Sequence, residues 1–289
     1  MNENANAVKK RLEEKGFVCR YGEALCQNGT YIALKAQVKG MPLVVSWDIG
    51  AIDSMVKGIG VEEAVTKLED ELNSIGKNPP CNTDDILNYQ QVKTKLCFQA
   101  IPVKENKELL TQVPHIILED IAFVVRIDCD DFSGVINNTA LKCYGISDEQ
   151  LFSDAKDAAR FTKSMKIQLL ADQLAIILNA MGLENEDVIQ DSIPIPLYVC
   201  RAGDIKGRYG AGVMIYPEFM RRALKKLGGA FYILPSSQNE VLLYPDTHVL
   251  DPKEMAEMVR EINATQVPEE ERLTDSVYYC DGKTIRKVA

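Results

Sequence analysis

The stretch Gly228 to Asp246, GGAFYILPSSQNEVLLYPD, constrains this chain most, because it sets two apolar runs back to back with a polar turn between them. Such a pattern is that of a β-hairpin. Ala230 to Leu234 and Val241 to Tyr244 are apolar on both faces, which suits strands buried inside a sheet better than strands with one wet face. The hairpin, residues 230–244, is therefore expected at the centre of the main core. Its loop, Pro235 to Glu240, carries side chains that bond backbone groups locally, and a loop on a rigid hairpin is also a natural place for a binding site.

Covering both faces of that hairpin takes a sizeable core, and 289 residues of which 46% are hydrophobic can supply one. Val8 and Leu12 space a short helix over Ala5 to Lys15, with Gly16 placed to end it. A strand begins near Phe17, Asn28-Gly29 marks a turn, and Thr30 to Val38 and Pro42 to Trp47 read as further strands. Gly58 and Gly60 punctuate the chain ahead of a helix over Val61 to Ile75, where Val61, Ala64, Val65, Leu68 and Leu72 recur at helical spacing. Two prolines cannot continue a helix, so Asn78-Pro79-Pro80 is expected to part a hairpin-plus-helix lobe, residues 1–78, from a main α+β lobe, residues 79–289.

In the main lobe, strands are expected over Lys93 to Val103 and on either side of a Glu119-Asp120 turn. Asn137 or Asn138, and then Ser147, are placed to cap helices. Lys166 to Met181 reads as one apolar helix, closed by Gly182 and buried against the sheet. Leu197 to Arg201 and Gly212 to Tyr216 read as strands, Pro217 and Pro252 as helix starts, and Asp281-Gly282 as the turn of a last hairpin. Short turns between successive strands predict an α+β fold: antiparallel sheets with helices packed on one side, in two closely packed lobes.

The net charge of −9 argues against a broad phosphate-binding surface, so nucleic acid is a disfavoured partner. Charges stand where a secretory apolar segment would lie, and no apolar run approaches the roughly eighteen residues that cross a bilayer. A cytoplasmic location without a membrane partner is the expectation. The eight cysteines form no CxxC, and several, such as Cys97 and Cys200, sit inside apolar runs, so they read as free, buried thiols. With only His115 and His248 in the chain, a Cys/His zinc site would have to gather distant ligands.

Three segments together resemble an uncharacterised bacterial family of unknown function that is common in gut bacteria. They are Asn28-Gly29 with the following strand and Ser46 to Leu72; Leu110 to Val125, with Val113-Pro114-His115 and Glu119-Asp120-Ile121-Ala122; and Gly210 to Tyr244, with Ile215-Tyr216-Pro217 and Leu234-Pro235-Ser236-Ser237. The resemblance covers most of the chain. It implies a shared fold and a cytoplasmic bacterial origin, and it brings no catalytic residue or cofactor.

The residues themselves nominate a few sites. Ser236 and Ser237 on the hairpin loop, with His248 and Asp246 or Asp251 downstream, have the types of a nucleophile, base and orienter, though no GxSxG elbow is present and the serines also suit a plain turn. Cys97 with His115 and Asp120 is a similar set, weakened by the apolar strand around the thiol. Asp128, Asp130 and Asp131 could offer oxygens to a divalent cation, but the pattern departs from an EF-hand loop. Gly203, Gly207, Gly210 and Gly212, with Arg201, Lys206 and Arg208, could cradle phosphate but form neither a P-loop nor GxGxxG. No motif calls for a cofactor. The leading expectation is a non-catalytic cytoplasmic protein that binds a protein partner; the alternative is a hydrolase or phosphate-ligand enzyme centred on the 235–240 loop and the 203–212 connection. The reading of the thiols sets its own test: most of the eight should resist a thiol reagent in the native state and react, without added reductant, once the chain is denatured. Immediate native reaction of most of them would refute it.

Overall fold

A computed structural model of the chain describes residues 2–26, 29–37, 44–77, 86–128, 133–180, 196–202, 208–235 and 237–289. Backbone contacts divide the chain into two units, Met1–Ile86 and Leu87–Ala289. The expected break at Asn78 to Pro80 and the Asn28 turn position lie outside the described residues.

In the first unit, α1 (Glu3–Glu14) starts at Asn2, whose side chain accepts the N–H groups of Asn4 and Ala5, and buries Ala5, Val8 and Leu12. The chain turns at Gly16 into an antiparallel meander of β1 (Val18–Cys26), β2 (Gly29–Gln37) and β3 (Val44–Asp48). The register sets Cys19 opposite Ala36, Tyr21 opposite Leu34 and Leu34 opposite Trp47, which gathers the larger apolar side chains on one face. Three helices cover that face: α1, α2 (Ile49–Ile59) and α3 (Val61–Lys77), packing Ile52, Val56, Leu68 and Leu72 on Leu34 and Phe17. The helix α2 corrects the reading of Gly58 and Gly60 as paired punctuation. Asp48 caps it by accepting the Ala51 N–H at 2.8 Å, Gly58 lies within it, and only Gly60, at a φ of 81°, ends it.

The second unit holds two antiparallel sheets. One is built on β6 (Ile121–Asp128), which pairs with β4 (Leu96–Pro102) along one edge and with β5 (His115–Leu118), then β7 (Ser133–Val135), along the other. The other has six strands, in the order Ile285–Lys287, Tyr278–Cys280, Phe231–Leu234, Val241–Pro245, Tyr198–Arg201 and Lys166–Leu169. Its central pair, β10 (Phe231–Leu234) and β11 (Val241–Pro245), is the expected hairpin, and Phe231, Ile233, Val241 and Leu243 have no exposed surface. Beside it lie β9 (Tyr198–Arg201) on one flank and β12 (Tyr278–Cys280) with β13 (Ile285–Lys287) on the other. An aromatic file links the layers: Phe98 of β4 meets Phe152 and Tyr216, and Phe219 meets Phe231.

Two expected elements change type. Lys166–Leu169 forms β8, the edge strand beside β9, and the helix begins only at Leu170, running to Ala180. Lys166 and Gln168 point to solvent while Ile167 and Leu169 are half-buried, a two-residue alternation masked in the sequence by the apolar helix that follows. That helix is not buried as expected: Leu170, Leu174 and Leu178 are half-buried and Ile176 is exposed, while Gly182 lies outside the described residues. Gly210–Ile215 is a 3₁₀ turn in place of a strand, because two of its glycines press against other backbone, as described below.

Asp120 ties the two sheets of this unit together. It follows Glu119 in the two-residue β5–β6 turn, where Glu119 takes a φ of 56°. Its carboxylate accepts hydrogen bonds from Tyr278, from Ser276 at 2.7 Å and from Thr274 at 3.1 Å, and pairs with Lys287 at 3.0 Å. Burial pushes this carboxyl up, but the hydrogen bonds of Tyr278 and Ser276 and the Lys287 ammonium outweigh it and hold the group below its ordinary range. A depressed folded pKa stabilises above the unfolded value of about 3.9, and the contribution is lost as pH falls through the folded pKa. Asp120→Asn is expected to cost about 2 kcal/mol in urea unfolding at neutral pH. The gap to wild type should close in that acid range; a gap independent of pH would show that the charge is not what matters.

Candidate functional site

The sequence nominated four sets of residues, and the structure brings the hairpin loop, the glycine-rich connection and Asp128, parts of three of them, to one place. On β4 and β6, alternation puts Gln99, Arg126 and Asp128 on the face opposite Phe98, Phe123 and Val125. The Gln99 amide donates to Gln238 Oε1 at 2.8 Å, and its oxygen accepts from Arg126 Nη1 at 2.8 Å. Arg126 Nε donates to Ser133 Oγ of β7 at 3.0 Å. Tyr209, from the glycine-rich connection, lays its ring within cation–π distance of two guanidinium groups, 4.7 Å from Arg126 and 5.5 Å from Arg208. Arg208 Nη2 in turn lies 3.4 Å from Asp128 Oδ1.

Backbone contacts fix this meeting point. The Ala211 N–H donates to the Gln238 carbonyl and the Gln238 N–H to the Glu271 carbonyl, each at 3.0 Å, while Tyr209 N–H reaches Asn239 Oδ1 at 3.3 Å. A side chain on Gly210 would collide with the Asn239 carbonyl and one on Gly212 with the Phe98 carbonyl. The approach is open only to glycine, and it forces Tyr209 into the left-handed region at a φ of 64°.

The nominated catalytic residues are distributed differently. Ser236 lies outside the described residues, as do Asp130, Asp131, Gly203, Lys206 and Gly207. Ser237 bridges to Arg272, and its hydroxyl accepts the Asn239 N–H at 3.0 Å, a bond within its own turn. His248 is 85% exposed, and its Nδ1 lies 3.0 Å from Asp246 Oδ1, within ion-pair distance but not aligned as a hydrogen bond. The second set is spread over one sheet: β6 runs between Cys97 and His115, which pair with residues two apart on it, and this puts their backbones about 12 Å apart. His115 Nδ1 faces the Val113 carbonyl at 2.9 Å, and Asp120 is committed to the C-terminal strands. Cys19, Cys97, Cys200 and Cys280 are buried thiols outside any disulfide, and Cys143 is an exposed one. Burial pushes the Cys19 thiol up to about 11 and the Cys200 thiol up to about 12, which suppresses the reactive thiolate. Among the described residues no three His, Cys, Asp or Glu side chains gather as metal ligands.

A second feature had no signal in any motif. Leu234 and Leu242 of the six-stranded sheet, with Leu197 just before β9, pack against Met255 and Val259 of the helix Pro252–Thr265 in one apolar cluster, and a small cleft of ≈ 20 Å³ rimmed by Met258 and Ile262 remains beside them. The helix is set by a capping box, Asp251 accepting the Lys253 N–H and Glu254 reaching back to the Asp251 N–H.

A family model described as "Family of unknown function (DUF5688)" matches residues 7–281. The chain belongs to that family. No curated protein and no solved structure matches it. All the residues of the polar junction and of the cleft fall within the matched span. No described helix is long and apolar enough to cross a membrane.

Two substitutions separate the structural roles in the junction. Gly212→Ala should destabilise by about 2 to 3 kcal/mol, since the Phe98 backbone cannot give way as a flexible side chain would. Ser237→Ala, which removes one bond within a turn, should cost about 1 kcal/mol or less. Chemical denaturation of the two variants is the measurement, and a Ser237→Ala penalty equal to or above that of Gly212→Ala would contradict the assignment.

Proposed function

We propose that this chain is a non-catalytic binding protein of the bacterial cytoplasm, and that its partner is a protein which seats an apolar segment in the cleft between the hairpin and the helix Pro252–Thr265. The observation that carries the reading is the apolar rim of the cleft, where Met258 and Ile262, 38% and 37% exposed, stand at the surface over the packed cluster beneath. Apolar surface of this kind beside a helix is where an amphipathic segment docks, with its aliphatic side chains as anchors. Met258 at its edge adds adaptable contact surface.

The charge around the cleft narrows the chemistry of the partner. Exposed Asp251, Glu254, Glu257 and Glu261 outnumber exposed Lys253 and Arg260 along the same helix. A docking segment with lysine or arginine flanking its apolar face would be attracted, and an acidic one repelled. The cytoplasmic assignment draws support from the buried thiols outside any disulfide, which suit a reducing compartment. Ser237 and His248, occupied as described with the Asn239 N–H and with Asp246, supply no observation that favours the hydrolase alternative.

Anisotropy of a labelled amphipathic leucine–lysine helix peptide tests the proposal directly. Saturable binding is expected, weakened about tenfold by Met258→Asp while the unfolding midpoint barely moves, because that side chain is already partly exposed. Equal affinity for a leucine–glutamate peptide, or indifference to Met258→Asp, would remove the cleft as the docking site.

A further inference from the structure

We propose that the junction of β4, β6, Tyr209 and the hairpin loop is an oxyanion-binding site, in which Arg126 receives a phosphate or carboxylate group of a ligand. Arg126 is half-buried and permanently charged, yet both of its hydrogen-bond acceptors are neutral, Ser133 Oγ and Gln99 Oε1. Among the described residues no carboxylate pairs with it. In a chain with a net charge of −9, acceptors for a guanidinium are plentiful, and a charge withdrawn from water without one is costly. The Tyr209 ring offsets part of that cost and neutralises none of the charge.

The arrangement also leaves donors unengaged in a fixed frame. Nε and Nη1 are engaged, which leaves the Nη2 N–H groups of Arg126, and Ser133 keeps its own hydroxyl hydrogen after accepting from Nε. Arg208 brings a second guanidinium beside the same ring, where it meets Asp128. Gln99 is held on its other side by Gln238, so the Arg126 fork is oriented before any ligand arrives. A planar fork with free N–H groups matches an oxyanion in a two-point contact. The site lies apart from the cleft and stands or falls without it.

Calorimetry with inorganic phosphate and with acetate, at ionic strength held constant by chloride, reads the site on the full chain. Saturable binding of at least one anion is expected, about tenfold weaker in Arg126→Gln and intermediate in Arg126→Lys, as for the loss of a charged hydrogen-bond donor. Arg221→Gln, an exposed guanidinium paired with Glu218, should bind like wild type. Phosphate alone binding would point to a phosphoryl ligand, and acetate alone to a carboxylate. Should Arg126→Gln fold poorly, amide shifts of wild type on phosphate or acetate addition locate the site without a variant, and they should centre on Arg126 and Ser133. No saturable binding of either anion, shifts centred elsewhere, or equal binding by a folded Arg126→Gln would overturn the proposal and leave Arg126 as a packing partner of Tyr209.

Discussion

A contact with no room for a side chain organises the larger unit. The 3₁₀ turn Gly210–Ile215 lies against the Phe98 carbonyl of one sheet and the Asn239 carbonyl of the hairpin in the other, at distances that only glycine allows. Because backbone meets backbone there, the hairpin loop cannot slide relative to β4, and Gln99 meets Gln238. Tyr209, one residue before the turn, accepts an unfavourable φ and carries its ring to Arg126. The same close approach lets Tyr216 reach Phe98 edge-on and the Ala155 carbonyl through its hydroxyl, closing the aromatic file of the core.

The larger unit uses polar groups in two distinct ways. Around Asp120, one carboxylate collects four donors and the charge is matched by Lys287, which is how a partly buried ion becomes a structural tie. Around Arg126, among the described residues, a guanidinium is held by neutral acceptors and an aromatic ring. The first arrangement is complete in itself, whereas the second keeps both charge and donors in reserve, which is the physical distinction between a staple and a receptor.

Much of the framework was legible in the sequence because it depends on local chemistry. Asp48, Asn137, Ser147 and Asp251 cap helices through their own side chains, and of these Asn137 or its neighbour, Ser147 and the Asp251-Pro252 start were expected. The hairpin at 230–244 and the turn at Glu119-Asp120 were legible from apolar runs broken by turn residues. The misreadings occur where periodicity is ambiguous. Lys166–Leu169 alternates for only four residues before a helix of the same apolar character, and Gly210–Ile215 is apolar throughout, so no period distinguishes a strand from a 3₁₀ turn.

What the sequence by itself determined is the set of elements with strong local signals and the central place of the hairpin, since a strand apolar on both faces has nowhere else to go. It also marked the 235–240 loop, the glycine-rich connection and Asp128 as places of interest, each for its own reason. Only the tertiary structure decided that these meet, and that Arg126, which no motif singled out, stands at the centre among them. The apolar cleft was equally hidden, because the apolar residues of its strands and its helix each read as plain core positions. The reason is the same in both cases: periodicity and capping are properties of neighbours along the chain, whereas a site is made by side chains more than a hundred residues apart, such as Gln99 and Gln238, whose meeting depends on sheet order and register.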